Sequence, residues 1–371
     1  MSNNKISIIE PVGGYGGMNY TTHGYCLGLI SNNWKPFLFT CNDTIDKFPE
    51  IETVYSFGDI WRKKNKFIKL LLLVLGYINS FRISSSEKVS VINLHFFSIG
   101  LLDTFILLLA KLLYNGKIIV TIHDVESFHH NTKNYVAKIG ILFVDGFMFF
   151  NDFCKKEFTR IYGLNKPHCL VSHGNYLHYF KKLTLRKKKA GKKINLLFFG
   201  QLKKVKGIEI LLEAFKIVCE KSQDFNLAVV GRPWKLTKKD MVDKFNSYDF
   251  KGNFNYELNY VSDSRAQSYY EEADIVILPY TKIYNSAVML LSFSYGRTII
   301  SSDLEPFLER VIDGVNGFIF KSGDSNSLAE KILSTLNYDL NAMGDKGYNI
   351  VKNKNDWNIE SRKLIKFIET L

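Results

Sequence analysis

The stretch Ile194-Asn195-Leu196-Leu197-Phe198-Phe199-Gly200-Gln201-Leu202-Lys203-Lys204-Val205-Lys206-Gly207 decides how this chain is read. Its first six residues are mostly apolar, as expected of a strand covered on both faces. Gly200 ends the run, three lysines and Gly207 follow, and from Ile208 apolar residues recur at helical spacing (Ile208, Leu211, Leu212, Phe215, Val218). A buried strand therefore runs through a basic loop into a helix N-terminus, where backbone N–H groups and the helix dipole favour anions. Lys203 and Lys206 add cationic donors. The pattern fits a phosphate site at the carboxyl end of a strand in an α/β domain. An ordinary turn with solvated lysines has the same pattern.

Downstream the rhythm continues. Strands are expected over Asn226–Val230, Phe254–Tyr256, Asp274–Leu278, Thr298–Ser301 and Gly317–Phe320. Helices are expected over Ser264–Glu272, Ser286–Tyr295 (with Gly296 as its C-terminal stop) and Pro306–Ile312, and a last one runs from about Trp357. The segment between Gly231 and Phe254 reads as a polar stretch. Upstream the rhythm is the same: strands at Ile6–Ile9, Pro36–Thr40, Val89–Leu94, Lys117–Ile122, Gly146–Phe150 and Pro167–Val171, with helices between them. Strands alternating with helices twice over imply two parallel-sheet domains. The boundary falls at Lys181–Lys193, where eight of thirteen residues are Lys or Arg. This gives an N-terminal domain of residues 1–180, a basic linker 181–193, a C-terminal domain 194–355, and a final helix 356–371 expected to pack back toward the N-terminal domain.

A chain of 371 residues exceeds what one core usually serves, which agrees with two domains. With 46% hydrophobic residues it has the material for packed cores, and disorder is excluded. The net charge of +13 implies anionic partners. No nucleic-acid motif is interleaved with the basic residues, so nucleic acid is not expected as a partner. The five cysteines form no CxxC pair, which argues against a zinc ribbon or a disulfide framework and suits a reducing, cytosolic setting. Phe67–Ile78 is leucine-rich, and Arg62, Lys63, Lys64, Lys66 and Lys69 crowd its start. It is shorter than a clean membrane span and reads as a helix packed on a sheet, with a place on a bilayer surface as the alternative.

Two sites of the first half share the location of the lysine loop. Gly13-Gly14-Tyr15-Gly16-Gly17 follows the first strand at once, which suits either close approach to a ligand or tight strand–helix packing. His123-Asp124-Val125-Glu126 follows a buried strand, at the edge where open α/β sheets bind ligands.

In motif order and spacing the chain resembles glycosyltransferase family 4. The resemblance rests on FFGQLKKVKG (Phe198–Gly207), ADIVILPY (Ala273–Tyr280), Tyr295-Gly296 before a strand, and ERVIDGVNGFIF (Glu309–Phe320), with GGYGG, VTIHD and SHGNY in the first half. It implies a GT-B fold: α/β, two Rossmann-like domains whose parallel sheets face across a cleft. It also implies transfer of a sugar from a nucleotide-sugar donor with retention and without a metal or other cofactor. The acceptor would be a surface polysaccharide or a lipid-linked oligosaccharide, and the setting cytoplasmic, with a peripheral contact on an anionic membrane.

Carried over, Lys206 contacts the donor diphosphate and His123 lies near the reacting sugar or acceptor. Gly14, Gly16 and Gly17 approach the phosphates, and Gln201 falls at the family's arginine, with Lys203 nearby to take its charge. Tyr260 and Val261 flank the base, Ser286 and Ala287 offer a helix N-terminus, and Glu309 matches a family glutamate. One departure stands out. The family's paired glutamates fall at Ile283 and Leu291, and the chain instead carries the PY…S-small form (Pro279-Tyr280 to Ser286-Ala287) of a subset. That departure leaves two alternatives: a non-catalytic partner subunit of GT-B shape, or a nucleotide-sugar isomerase on the same fold.

Overall fold

The computed structural model describes residues 4–125, 134–179 and 193–371. Glu126 and the basic segment up to Lys192 lie outside these residues. The chain forms two compact units, one drawn from Met1–Tyr179 and Asn355–Leu371 and the other from Phe180–Lys354.

In the first unit the strands are β1 (Lys5–Ile9), β2 (Lys35–Phe39), β3 (Glu52–Val54), β4 (Val91–Phe96), β5 (Lys117–Ile122), β6 (Gly146–Phe149) and β7 (His168–Leu170). They pair in the order β3-β2-β1-β4-β5-β6-β7, every pair parallel. The helices are α1 (Asn19–Ile30), α2 (Lys66–Ser86), α3 (Leu101–Leu113), α4 (Asn134–Leu142) and α5 (Asp152–Tyr162). Right-handed crossovers place α1 on one face of the sheet and α2, α3 and α4 on the other. The side chains agree, because successive residues of a strand point to opposite faces. Ile6 and Ile8 of β1 join Tyr25 and Leu29 of α1 in the core, while Ser7 between them hydrogen-bonds Ser84 of α2 at 2.8 Å.

In the second unit the strands are β8 (Ile194–Phe199), β9 (Phe225–Val230), β10 (Phe254–Glu257), β11 (Ile275–Leu278), β12 (Thr298–Ser302) and β13 (Gly317–Phe320), in the parallel order β10-β9-β8-β11-β12-β13. The helices are α6 (Ile208–Lys221), α7 (Lys238–Asn246), α8 (Asp263–Glu272), α9 (Ala287–Ser294), α10 (Glu305–Leu308), α11 (Ser325–Ser334) and α12 (Leu340–Lys354). The last helix, α13 (Trp357–Ile368), belongs to the first unit. There Trp357 Nε1 donates to the Asn175 carbonyl at 2.8 Å, and the buried Glu360 carboxylate accepts from the Ser172 amide at 2.7 Å. The SHGNY segment thus serves as the seat of the returning helix.

Some elements differ from the sequence expectation. The polar stretch contains α7, which buries only Met241 and Phe245 and is started by a reciprocal Thr237–Asp240 cap rather than by an apolar stripe. The three-residue edge strand β3 is too short to leave a pattern. The helix expected over Pro306–Ile312 stops at Leu308, where the Asn316 side chain ties down Arg310 and Ile312 instead. Strand β4 continues through His95 and Phe96, whose backbones pair with Thr121 and Ile122 of β5.

Candidate active site

In each sheet the strand order reverses beside the first strand of its unit, and ligands of open α/β sheets bind at the carboxyl edge there. In the second unit that point lies between β8 and β11. Strand β8 ends at Gly200 (φ +108°), and a short 3-10 turn over Lys204–Lys206 leads to Gly207 (φ +69°), which starts α6. Gly207 is required: its backbone is left-handed, and a Cβ there would collide with the Pro279 carbonyl at the end of β11. The loop after β11 is tied to the same turn, since the Thr281 amide donates to the Val205 carbonyl at 2.9 Å.

Lys206 is the residue on which this junction closes. Its ammonium lies 5.2 Å from the centre of the buried Tyr280 ring, and a Cβ on Gly200 would be 3.1 Å from Nζ and 3.6 Å from Val288 of α9. One lysine therefore lies against the end of β8 and the loop after β11, and Gly200 stands between it and Val288 in the first turn of α9. Among the described residues it has no carboxylate within 4 Å. Burial lowers its pKa from 10.5 to about 8, so at neutral pH it is a charged, recessed cation with no counter-charge. Such a cation is suited to an anionic ligand, because Coulomb interactions strengthen as water is excluded.

The other residues expected in the second unit fall on the same edge in different states. Lys203 is half-buried and lies over the Trp234 ring at 5.3 Å, and Gln201 is half-buried in the loop. Ser286 is buried, and its Oγ caps α9 by accepting from the Met289 amide at 3.2 Å. The exposed Ala287 opens α9, whose first turn bears no acidic residue. Tyr260 is exposed and Val261 half-exposed in the loop after β10, and Glu309 is exposed at the end of α10, after β12. Ile283 and Leu291 are both half-buried apolar side chains. A cavity of about 340 Å³ among Asn195, Asn226 and Asn253 lies at the amino ends of the strands, on the opposite edge from Lys206.

The first unit answers differently. Gly14 and Gly16 lie in a 3-10 turn over Gly13–Gly16, and Gly17 follows with φ +74°. Several of this loop's amides are consumed within the protein. Glu10, buried at the end of β1, accepts from Val12 and Gly13 at 2.8 and 2.7 Å. The Gly14 amide donates to Thr44 Oγ1 at 3.2 Å, and the Gly17 amide to the Gly14 carbonyl at 3.3 Å. A Cβ on Gly14 would collide with the Asp43 carbonyl, so this glycine serves close packing. Burial raises the Glu10 pKa from 4.5 to about 7, opposed by those two amides. Sequence reasoning missed Glu10, although a carboxylate ending a buried strand directly before a Pro-Val-Gly-Gly turn was a signal for it.

His123 is buried at the end of β5. Its Nε2 shares a 3.0 Å hydrogen bond with His95 Nδ1, and its ring packs 5.0 Å from Phe150 and 5.3 Å from Phe97. Burial first, then His95 and His173, hold its pKa well below 6.5, so the imidazole is neutral. A neutral imidazole can donate or accept a hydrogen bond, but it is a weak base. Among the described residues no group of three or more His, Cys, Asp or Glu side chains is arranged to hold a metal ion.

Comparison with known proteins follows the same division. Residues 181–352 match the family model of glycosyl transferases group 1. The capsular polysaccharide biosynthesis glycosyltransferase CapM of Staphylococcus aureus is 27% identical over 160 residues, 42% of this chain and 41% of that protein. The GDP-mannose:glycolipid 4-beta-D-mannosyltransferase of Xanthomonas campestris pv. campestris is 26% identical over 131 residues, 35% of this chain and 36% of that protein. The chain thus spans about two fifths of the length of the curated relatives it matches. Solved structures align along nearly the whole chain. A sucrose-phosphate synthase from Thermosynechococcus elongatus has a TM-score of 0.76 at 16% identity, covering 99% of this chain and 98% of its own. Anabaena HepE, solved with UDP and glucose, has a TM-score of 0.70 at 16% identity, covering 99% and 100%. These likenesses establish the fold as α/β with two Rossmann-like halves, the fold of GT-B glycosyltransferases.

Proposed function

We propose that this protein is a retaining glycosyltransferase that moves a sugar from a nucleotide-sugar donor to a surface-polysaccharide or lipid-linked oligosaccharide acceptor. The observation that carries the reading is Lys206, a recessed ammonium with no described carboxylate partner at the switch point of the second sheet. When a glycosidic bond to a diphosphate breaks, negative charge grows on the leaving group, and a fixed cation in a water-poor site lowers the barrier. The N-terminus of α9 beside it adds backbone N–H groups of matching polarity. In this proposal the lysine supplies the charge that a metal would otherwise bring, and no cofactor takes part.

The match to glycosyl transferases group 1 covers the lysine loop, and relatives named for capsular polysaccharide and glycolipid synthesis support the acceptor class. We assign donor contacts to Lys206, Lys203, Gln201, Ser286, Ala287, Tyr260, Val261 and Glu309, and to Gly14, Gly16 and Gly17. His123 is assigned a hydrogen bond to the sugar or acceptor as a neutral imidazole. The enzyme would work in the cytoplasm at the inner face of the membrane.

A second reading, a non-catalytic partner subunit, is favoured by one observation: apolar Ile283 and Leu291 stand at the positions of the family's paired glutamates. A thermal-shift panel of nucleoside diphosphates separates the two, because a ligand that binds only the folded state raises its melting temperature. Stabilisation by one diphosphate, lost in Lys206→Ala, supports the donor site and names the base. No stabilisation by any of them overturns it and favours the partner reading.

A further inference from the structure

The helices on the second face of the first sheet present apolar residues outward. On α3 the buried residues are Ile106, Leu107 and Ala110, and the opposite stripe is exposed: Leu101 (77%), Phe105 (45%), Leu108 (39%) and Leu112 (70%). Spacings of four, three and four residues put these side chains on one helix face. Helix α4 repeats the pattern with Tyr135, Ile139 and Leu142, each at least half exposed. It lies beside α3, with Thr104 Oγ1 donating to the Val136 carbonyl at 3.1 Å. On its other side α3 meets α2, where Ser85 Oγ donates to the Leu113 carbonyl at 3.0 Å. The first turns of α2 are apolar and exposed at Phe67, Leu71 and Leu75. A soluble helix layer shows charged and polar residues at such positions, and an apolar surface of this extent marks an interaction site.

The charges around the layer indicate what covers it. Lys63, Lys64 and Lys66 sit exposed where α2 begins and have no carboxylate within 4 Å among the described residues, and the chain carries +13. A second copy would bring the same lysines and the same net charge against them. An anionic bilayer offers both an apolar interior for the stripes and negative headgroups for the lysines. Helix α2 is the described helix long and apolar enough to cross a membrane. Its C-terminal half is fixed in the protein, however, with Gly76, Tyr77, Ser80, Phe81 and Ser84 buried. That anchoring makes it a helix that lies on the bilayer rather than one that spans it.

We infer that the outward face of α2, α3 and α4 is a docking surface for an anionic lipid bilayer, with the leucine stripes entering the acyl boundary and the lysines at the start of α2 meeting the headgroups. The inference rests on the proposed work at a membrane and assigns that contact to one surface, and its test needs no transfer reaction. The purified chain is floated with phosphatidylcholine vesicles, with and without about one-third phosphatidylglycerol. Wild type is expected to rise with the anionic vesicles only, and less so at high salt. Leu101→Gln with Leu112→Gln, and separately Lys63→Glu with Lys64→Glu and Lys66→Glu, should each weaken binding about tenfold or more with an unchanged melting temperature. All five side chains are exposed, so folding is preserved.

Wild type that binds neither vesicle, or binding untouched by the leucine pair, overturns the surface. So does a dimer in sedimentation that the leucine pair dissolves, which would make a second copy the occupant. The diphosphate thermal shift on the same preparations separates the two proposals. A shift without vesicle binding removes the surface and keeps the donor site, and vesicle binding without a shift does the reverse.

Discussion

Numbered from the first strand of its own unit, each sheet runs 3-2-1-4-5-6, with a seventh strand added at the end of the first sheet, and each places a glycine-bearing loop after that first strand. The two loops are closed in opposite ways. After β1 the turn is filled from inside: the Glu10 carboxylate takes the Val12 and Gly13 amides, and Thr44 takes that of Gly14. After β8 the turn carries Lys206, a cation with no counter-charge among the described residues, braced by Gly200 and Tyr280. Topology therefore decides only where a ligand loop stands. Whether the loop invites an anion depends on whether the protein has already supplied one.

The largest test of this contrast is acid. Burial holds His23 and His178 at about 4 and His95 at about 3 in the folded first unit, while an unfolded histidine takes its proton near 6.5. As pH falls from 7 to 5 the unfolded chain gains protons that the fold refuses, so stability drops. Glu10, protonated in the fold below about 7 and in the unfolded chain only below about 4.5, works in the other direction over the same window. With His123, also held well below 6.5 by burial, the histidines outweigh one carboxyl, and the expected net loss is about 3 kcal/mol or more. Denaturant melts at pH 7 and pH 5 measure it, and equal stability at both would erase the distinction drawn for the first unit.

Next in size is Lys206→Ala. Removing a fixed charge from the leaving group should lower kcat/KM about a hundredfold. The melting temperature should be unchanged or higher, since a half-buried, unpaired ammonium is itself a cost. Steady-state transfer with the cognate donor is the measurement, and a wild-type rate would remove the second loop from the chemistry.

A smaller effect follows from the lowered lysine pKa. Above about 8 the free lysine loses its proton, so diphosphate affinity should fall up to about tenfold per pH unit until the bound-state pKa is reached. Titration calorimetry at pH 7 and 9 would show the fall in wild type and none in Lys206→Ala.

The smallest expected effect is Glu10→Gln. The amide keeps one acceptor oxygen where the carboxylate had two, so one loop amide loses its partner, at a cost of about 1 kcal/mol. If the loop's position matters to the donor, KM should rise with kcat little changed. A large fall in kcat would instead bring Glu10 into the chemistry.

Several features were legible in the residues. The apolar run Ile194–Phe199 and the helical spacing from Ile208 to Val218 are local signals, and strand β8 and helix α6 appear where they point. The same holds for Lys117–Ile122. Lys206 stood out because two glycines framed a basic turn between a buried strand and a helix. Helix α7 was illegible because only two of its nine residues are buried, and hydrophobic periodicity has almost nothing to report there. The glycine loop after β1 read equally well as ligand contact or packing, since the sequence does not say which partner an amide will find.

What the sequence determined by itself is the alternation of strands and helices, hence two parallel sheets, and the chemistry available at each loop. Those follow from periodicity and from the conformations that glycine and proline permit, which are properties of neighbours along the chain. The tertiary structure alone decided which loop amides Glu10 would consume and that Lys206 would come to rest without a described counter-charge. It also decided which of the two apolar sides of α3 would face outward. Burial, pairing and exposure depend on residues far apart in sequence that share a surface only after the strands have taken their order.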